Sequence, residues 1–484
     1  MSENGRSADQ VAAGVPGWVA GYDPPQGGVG APPVVRRSDR SDRTGGDETA
    51  RVAAGVRAAI GDELSAQIAA AEARGGGVLG AEARRQIADA LVTSALERWA
   101  QTELAAGRGL LGAAGEASVR RAVLDGLFGL GGLQPLLDDP DIENINVNGC
   151  DDVFVRYCDG RRARMPAVAG SDGELVELVR QLAARSGVQE RRFDPGAPML
   201  NLQLPDGSRL FAVMAVSRRP AISVRRHRYR RITLAELGHM GTVDGVLAGF
   251  LAAAVRARMN IVVAGGTGVG KTTLLMGLAS EIGPSERLVT IEDAFELGLD
   301  EDRERHPDVV AWQSREANTE GEGEITQAEL ARAALRASPD RVIVGEIRGP
   351  EVVPVCNVMS QGNDGSMATI HASSARGVFA KMAAYAAQGP ERLPVEATAL
   401  LVASAVNLVV HLDWSTDRRR VVSGVREVVD ADGRQVISNE VFAPGPDRRA
   451  LPAAPLRAET MERLVAAGLG TDLLAPRGPA WGPR

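Results

Sequence analysis

The sequence predicts an α/β protein in which a parallel sheet covered by helices is preceded by a smaller α+β domain and a helical bundle. Three observations support this prediction. From about Thr233 onward, buried strand runs alternate with helical segments, as in a parallel sheet with crossover helices. On either side of Asn148 and Gly149, apolar and polar residues alternate, which predicts a hairpin. Between residues 48 and 130, Ala, Leu and Val recur at helical spacing.

These patterns divide the chain into consecutive regions. Residues 1–47 are rich in Gly, Pro, Arg and Asp, which predicts a disordered tail. Residues 48–132 predict the helical bundle, and residues 133–232 the α+β domain. Residues 233–484 predict the sheet domain with a C-terminal extension. A basic run at 225–231 marks the linker between the last two regions.

Individual elements follow from the same patterns. Apolar, β-branched runs predict the strands of the sheet domain at 261–264, 288–291, 342–344, 367–370 and 408–410. Within the α+β domain we expect a hairpin over 142–157, a helix over 174–186, and short strands around 205–207 and 221–225.

Composition bounds the size and the class of the protein. The chain has 484 residues, of which 44% are hydrophobic, and this suffices for two to four domains. Its net charge of −7 and pI of about 5.5 argue against a dedicated nucleic-acid binder, which is usually basic. Cys150, Cys158 and Cys356 form no CxxC pair. The sequence therefore predicts neither a disulfide framework nor a zinc site, and it fits a reducing cytosol.

No targeting or membrane-spanning segment is visible in the sequence. The first 47 residues lack the apolar core of a signal peptide. The longest apolar stretches, such as 246–255, have about half the length that a bilayer span needs. We therefore expect a cytoplasmic protein whose membrane association comes through partners.

A complete phosphate-binding motif stands where a predicted strand passes into a helix. Residues 265–272 match G-x4-G-K-[ST] without a mismatch. Glycines let backbone N–H groups approach phosphate oxygens, and the helix N-terminus adds favourable dipole charge. Lys271 places a charge near the β- and γ-phosphates, and Thr272 offers a hydroxyl to Mg²⁺. The residues predicted to contact the nucleotide are Gly265, Gly266, Thr267, Gly268, Val269, Gly270, Lys271, Thr272 and Thr273.

Acidic residues follow two of the predicted strands. Glu346 would lie at the carboxyl edge of the sheet, where ligands bind, and there it either polarises the attacking water or holds Mg²⁺ through water. Glu292 and Asp293 end the strand that follows the motif helix, and Glu296 comes about one turn later. These acids fit metal and water positioning. For each of them the alternative is a strand-end acid that faces solvent.

His371 ends a further buried strand. A lone histidine is more often a structural residue than a functional one. Its predicted place at the same sheet edge as Glu346 favours a role in the site.

Over residues 129–427 the chain resembles the secretion-superfamily ATPases of type II secretion, type IV secretion and type IV pili. It is most similar to the CpaF-like branch, which serves tight-adherence (Flp) pili. The segments that carry the resemblance are the domain opening at 139–149, the arginine-bearing segments at 206–209 and 222–226, the phosphate motif, the Asp box at 290–293, the Walker B segment at 339–349 and the His box at 365–372.

The resemblance implies a RecA-like ATPase domain behind a PAS-like N-terminal domain, assembled as a homo-hexamer with ATP and Mg²⁺ between the two domains. It implies that Glu346 is the catalytic carboxylate and that Glu292 and Asp293 position metal and water. It also implies that His371 senses the γ-phosphate.

Arginines of the N-terminal domain are implied to reach the nucleotide. Arg209 and Arg225 are the main candidates, and Arg226 is a further one. Arginine suits this role because its planar fork binds phosphate oxygens in pairs. The alternative is that these arginines only hold the domain interface together through carboxylates. The chain departs from the family pattern at Asn363, where the His box commonly opens with a histidine.

The function implied by the resemblance is a motor that assembles a type IV or Flp-type pilus, or drives a related secretion system, by acting on an inner-membrane platform protein. Two other classes stay open. A RecA-like motor stimulated by nucleic acid is supported by the basic run at 225–231 and disfavoured by the net acidity. A non-catalytic nucleotide-binding scaffold is disfavoured by intact Lys271, Thr272 and Glu346.

Overall fold

A computed structural model describes residues 40–75, 79–185, 192–226, 229–317 and 321–470 of the chain. Its α-helices are α1 (Arg40–Gly75), α2 (Ala81–Ala105), α3 (Ala113–Phe128), α4 (Gln134–Asp138), α5 (Asp172–Arg185), α6 (Leu234–His239), α7 (Gly245–Arg256), α8 (Lys271–Ala279), α9 (Gln327–Ala334), α10 (Val352–Ser360), α11 (Gly377–Gln388), α12 (Val395–Ala405) and α13 (Ala458–Ala466). Its β-strands are β1 (Ile142–Asn148), β2 (Val153–Tyr157), β3 (Arg162–Met165), β4 (Met199–Gln203), β5 (Arg209–Val213), β6 (Ala221–Arg225), β7 (Ile261–Gly265), β8 (Leu288–Glu292), β9 (Val309–Gln313), β10 (Arg341–Ile347), β11 (Met367–His371), β12 (Leu408–Trp414), β13 (Arg420–Asp432), β14 (Gln435–Pro444) and β15 (Ala450–Pro452). None of these helices is both long enough and apolar enough to cross a bilayer.

Helices α1, α2 and α3 pack together as a bundle. Their apolar residues share one core, in which Ile60, Val92 and Val119 are fully buried. Helix α1 begins at Arg40, ahead of the bundle start predicted at residue 48. Extending an existing helix costs far less than starting a new one, so a helix can run past its apolar pattern. The rest of the predicted tail lies outside the described residues.

Strands β1–β6 form an antiparallel sheet in the order β3-β2-β1-β6-β5-β4. The predicted hairpin is present as β1 and β2, with Val147 opposite Val153. Helix α5 covers one face of this sheet through Leu175 and Val179. The region therefore has the α+β character that its sequence predicts.

Strands β7–β15 form a nine-stranded sheet in the order β15-β14-β13-β12-β7-β11-β10-β8-β9. The strands from β12 to β9 in this order are parallel, and they include all the strands predicted for this domain. Two apolar cores cover the sheet, one containing Phe250 and Leu274 and the other Val355 and Val402. The predicted α/β fold class is confirmed.

The sheet is mixed rather than wholly parallel, which corrects the prediction at its C-terminal edge. Strand β13 pairs antiparallel with β12, β14 with β13 and β15 with β14, so the predicted C-terminal extension is largely part of the sheet. Only Val441 and Phe442 of the ten residues of β14 are buried, and its sequence carries no long apolar run. Edge strand β9 was not predicted either, although its first four residues are apolar, and Val309 is its only buried residue.

The parallel strands end together at one edge of the large sheet. His371 is level with Gly265 on the neighbouring strand, and Val344 is level with Ile291. Because these strands are parallel and in register, the residues that follow them converge. The phosphate motif, the acids and the histidine are brought together in this way.

Buried side-chain amides hold the opposite, amino-terminal edge of the sheet. The Asn260 amide nitrogen donates to the carbonyls of Met359 and Ala405, both at 2.7 Å. The Asn260 Oδ1 accepts from the backbone amides of Gly365 and Ser366 at 2.9 and 3.0 Å. One side chain therefore satisfies backbone groups at the ends of two helices and at the start of β11.

Asn363 lies at the same amino-terminal edge. It is buried, and its Nδ2 donates to the carbonyl of Pro339 at 2.6 Å. His371 lies at the other end of β11, so Asn363 is remote from the converging acids. The departure from the family pattern at this position therefore falls on a residue that ties two loops together.

Replacing Asn260 with Ala should lower the free energy of unfolding by about 3 kcal/mol, because it leaves several buried backbone groups without partners. Thermal denaturation measures this as a drop of several degrees in the melting temperature. The exposed Asn146→Ala variant serves as the control and should change little. Equal melting temperatures for the two variants would contradict the role given to Asn260.

Candidate nucleotide site

A cleft opens at the carboxyl edge of the large sheet, facing the N-terminal antiparallel sheet. The residues that line it are Glu143, Arg209, Arg225, Arg226, Tyr229, Thr267, Gly268, Gly270, Lys271, Thr272, Thr273, Met276, Glu292, Asp293, Ala294, Glu296, Gly345, Glu346, Arg348, Thr369, His371 and Arg420. All the predicted catalytic residues are in this set. The cleft is therefore shared between the two domains, as the resemblance implies.

The phosphate motif forms the floor of the cleft between β7 and α8. Gly268 and Gly270 have φ values of 76° and 98°, in the left-handed region that a side chain would strain. Lys271 is the first residue of α8, so the positive end of the helix faces the cleft. The Val269 side chain is buried in the apolar core and leaves only its backbone to the loop.

Lys271 is a buried cation at the centre of the cleft. Its side chain is 8% exposed, and its Nζ donates to the carbonyl of Gly266 at 3.0 Å. The same Nζ lies 3.1 Å from His371 Nδ1 and 4.0 Å from Glu346 Oε1. Burial lowers the pKa of Lys271 to about 8, although the Glu346 carboxylate raises it.

A bulge in β10 turns Glu346 toward Lys271. Val344 and Ile347 are paired with β11, whereas the two residues between them break the register. Glu346 Oε1 lies 2.6 Å from His371 Nε2, and its Oε2 lies 2.7 Å from Arg348 Nε. Burial lowers the pKa of His371, whereas the neighbouring Glu346 raises it.

Glu292 is the most deeply buried acid of the cleft. It is 2% exposed, and its Oε2 accepts from the backbone amides of Glu296 and Leu297 at 2.8 and 2.9 Å. Burial raises the pKa of Glu292 to about 7, and these two hydrogen bonds lower it. The loop after β8 is therefore folded around this carboxyl group.

Asp293 points away from Glu292 and joins the helix and loop that follow. Its Oδ1 accepts from Ser314 Oγ at 2.9 Å and from Gln327 Nε2 at 2.5 Å. Its Oδ2 lies 2.6 Å from Arg348 NH1. Asp293 therefore orients Arg348, which in turn contacts Glu346.

Glu296 connects the phosphate motif with the N-terminal domain. Its Oε2 accepts from the Thr272 hydroxyl at 3.3 Å, and its Oε1 lies 2.7 Å from Arg209 Nε. Arg209 also donates to the carbonyl of Ala294 at 3.0 Å. The hydroxyl predicted to face Mg²⁺ and the arginine predicted to face phosphate thus share one carboxylate.

The three predicted arginines differ in what they contact. Arg209 is held by Glu296, as described above. Arg226 lines the cleft, but its guanidinium donates to the backbone carbonyls of Asp139 and Ile142. Arg225 makes no ion pair with any residue that the structure describes. Burial lowers the pKa values of Lys271 and His371, and the positive charge of Arg225 lowers them further.

Among the cleft residues that the sequence analysis did not name as site residues are Glu143, Tyr229, Met276 and Arg420, although Glu143 lies in the 139–149 segment that carries the resemblance. Arg420 Nε donates to the carbonyl of Gly268 at 3.0 Å, and its NH2 lies 2.7 Å from Glu143 Oε1. Arg420 is the last of three consecutive arginines, and nothing in that run distinguishes it from its neighbours. Only the pairing of β13 with β12 brings it beside the phosphate motif.

The chemistry of the cleft fits a magnesium nucleotide. A glycine loop at a helix N-terminus, a buried lysine and several arginines together favour a polyphosphate. No three His, Cys, Asp or Glu side chains of the described chain converge on a metal position.

A protein-family model described as "Type II/IV secretion system protein" matches residues 129–441, which contain the antiparallel sheet and all the cleft residues. The chain belongs to this family. The described helical bundle precedes the matched region.

Individual members of the type II/IV secretion family show the same extent of similarity. A Mycobacterium tuberculosis H37Rv protein described as a conjugal transfer protein is 36% identical over 317 residues, covering 64% of this chain and 87% of the relative. The type IV secretion system protein VirB11 of Brucella suis is 32% identical over 329 residues, covering 61% and 88%. A crystal structure of the VirB11 ATPase from Brucella suis is 30% identical, covers 64% of this chain and 96% of that one, and has a TM-score of 0.33.

Replacing Glu292 with Gln in this secretion-family protein should change the pH dependence of its stability. The native pKa of about 7 lies above the ordinary value of 4.5, so between these values the folded protein holds a proton that the unfolded chain has lost. The Glu292 carboxyl therefore makes the fold less stable as the pH rises through this window, and Gln removes that loss.

Thermal denaturation of both proteins at about pH 5 and about pH 8 measures the effect. The melting temperature of Glu292→Gln minus that of the wild type should be higher at the upper pH. A difference that does not change with pH would show that Glu292 does not titrate in the folded protein with a raised pKa.

Proposed function

We propose that this protein hydrolyses ATP in the cleft between its two sheets. The observation that carries the proposal is the meeting of Lys271, Glu346 and His371 within 4.0 Å at the end of the phosphate motif. A structural lysine has no need of a glycine loop, a helix N-terminus and a catalytic-type carboxylate around it. Membership of the type II/IV secretion family supports the same activity.

The phosphate motif and Lys271 bind the nucleotide phosphates in this proposal. The backbone amides at the N-terminus of α8 donate to the phosphate oxygens, and Lys271 turns its Nζ from the Gly266 carbonyl toward them. Thr272 releases Glu296 and presents its hydroxyl to the metal. When bound, Mg²⁺ would neutralise part of the charge on the phosphates.

Glu346 is proposed to orient and polarise the attacking water. Its Oε2 accepts a hydrogen bond from Arg348, its Oε1 lies 2.6 Å from His371 Nε2, and its side chain is only 16% exposed. A carboxylate oriented in this way costs little reorganisation when the water is activated. His371 lies between Lys271 and Glu346, and this position supports the proposal that it senses the γ-phosphate.

Arg225 and Arg209 are proposed to neutralise charge that develops on the phosphates. Both arginines line the cleft. Arg225 has no carboxylate partner among the described residues, whereas Arg209 is paired with Glu296. Both come from the N-terminal domain, so turnover would depend on how that domain is placed. The bond to Glu296 keeps the alternative interface role of Arg209 open to test.

We further propose that the hydrolysis powers a hexameric motor at the cytoplasmic face of the membrane. The family membership and the type IV secretion relatives support a motor that works with a membrane-embedded secretion or pilus system. The motif order described for the CpaF-like branch supports assembly of a tight-adherence pilus through an inner-membrane platform protein. Stable nucleic-acid binding is not expected of it.

Variants of Lys271 and Glu346 separate binding from hydrolysis. Lys271→Ala should abolish ATP binding, because it removes the buried charge at the motif. Glu346→Gln should bind ATP but lose turnover by at least about 100-fold, because an amide cannot polarise the water. Isothermal titration with ATP and a phosphate-release assay measure the two properties.

The exposed Glu304→Gln variant provides the control for this experiment and should match the wild type. Near-normal turnover in Glu346→Gln would exclude Glu346 as the catalytic carboxylate. If single-stranded DNA or RNA strongly increased the rate of ATP hydrolysis by the wild type, the nucleic-acid motor would replace the secretion motor as the proposed function.

The double variant Arg209→Ala, Arg225→Ala tests the arginine roles. We expect turnover to fall by about 1000-fold, as with other arginines that stabilise phosphoryl transfer, while ATP affinity stays within about tenfold. Arg218→Ala, an exposed arginine of the same domain, is the matched control. Full turnover in the double variant would leave these arginines with the interface role alone.

A further inference from the structure

Arg420 lies at the rim of the cleft, on β13, outside every motif that the sequence analysis identified. Its guanidinium makes two directed contacts, one with the Gly268 carbonyl at 3.0 Å and one with Glu143 at 2.7 Å. Its Cζ also lies over the ring of Trp414, 5.3 Å from the centroid. These three contacts hold the side chain in place, and it is 30% exposed.

The contact with Gly268 bears on the direction of a backbone amide. The structure has no cis peptide bond among its described residues, and in a planar trans peptide the carbonyl oxygen and the following N–H point in opposite directions. A Gly268 carbonyl that faces Arg420 therefore turns the N–H of Val269 to the other side of the loop. In a glycine loop around phosphate, that inner side is where amides must point.

Glycine makes this peptide unit easy to turn. Gly268 has a φ of 76°, and a Cβ built on it would meet no atom within 4 Å. Because the residue has no side chain and the space at its Cβ position is open, rotation of its carbonyl meets little steric resistance on that side. The Arg420 hydrogen bond supplies the restraint that the loop itself does not.

The second contact links this restraint to the N-terminal domain. Glu143 is on β1, and its Oε2 also pairs with Arg156 at 3.1 Å. Its backbone carbonyl accepts from the Arg226 amide at 3.0 Å. Glu143 is therefore fixed within the antiparallel sheet, and Arg420 spans the distance from that sheet to the phosphate motif.

We propose that Arg420 is a positioning residue for the phosphate loop, and that its ion pair with Glu143 transmits the placement of the N-terminal domain to the loop. This inference rests on the proposed nucleotide site. When the N-terminal sheet closes onto the large sheet, the ion pair between Arg420 and Glu143 forms. Arg420 then holds the Gly268 carbonyl, so that the Val269 amide faces the phosphate. Movement of the N-terminal domain away from the cleft releases the loop.

Calorimetric titration with ADP tests the proposal without relying on turnover. Arg420→Ala should weaken ADP affinity about tenfold, whereas Glu143→Gln should weaken it about threefold because Gln still accepts one neutral hydrogen bond. The double variant should be no weaker than Arg420→Ala alone, since Glu143 acts only through Arg420. Arg420→Lys keeps the charge but not the fork, and it should fall between the wild type and Arg420→Ala.

Thermal denaturation with and without ADP separates positioning from a merely structural role. The melting temperature without ADP should differ little among these variants, while the rise caused by ADP should shrink in the order of their affinities. Arg419→Ala is the matched control, since that exposed neighbour pairs only with Asp417 among the described residues. It should bind ADP as the wild type does.

Wild-type ADP affinity in Arg420→Ala would overturn the proposal. So would strictly additive losses in the double variant, because they would separate Glu143 from Arg420. A wild-type protein that binds ADP but does not hydrolyse ATP would exclude the proposed ATPase function. The ADP affinities of the single and double variants would still decide the role of Arg420. A wild-type protein that binds no ADP would overturn both.

Discussion

Burial of the Lys271 ammonium group is the constraint on which the arrangement of the cleft depends. A lysine side chain that is 8% exposed has lost most of its hydration, and its pKa falls to about 8 because burial lowers it by more than the Glu346 carboxylate raises it. The loss is offset by groups from neighbouring strands: Glu346 on β10, His371 on β11 and the Gly266 carbonyl. The register of the parallel strands and the bulge in β10 bring these partners together around the lysine.

Outward from this lysine, each charge is held by the next. Glu346 contacts Arg348, Arg348 contacts Asp293, and Asp293 accepts hydrogen bonds from the loop and helix after β8. On the other side, Glu296 joins the motif helix to Arg209 of the N-terminal domain. The two domains therefore contact each other through side chains that line the cleft. Their relative placement depends on these contacts.

The sequence predicted those features that a local pattern encodes. The phosphate motif, the strands of the parallel sheet and the acids at their ends all lie where apolar runs and glycines place them. Arg420 and Glu143 escaped prediction because they are separated by 277 positions and come together only through sheet pairing. Strand β14 escaped prediction because only two of its ten residues are buried, so its sequence has no strong apolar pattern. The apolar residues of edge strand β9 were not recognised as a strand. The distinct environments of Arg209, Arg225 and Arg226 also depend on three-dimensional neighbours rather than on spacing.

The pairing of cleft cations with carboxylates of the same chain has a consequence for how the site would respond to dissolved salt. Arg209, Arg348 and Arg420 already have anionic neighbours in Glu296, Glu346 and Glu143. Because these cations are neutralised within the chain, a nucleotide entering the cleft would release few mobile counterions into solution. Its binding should therefore depend only weakly on ionic strength, in contrast to an open basic groove, whose affinity comes largely from counterion release.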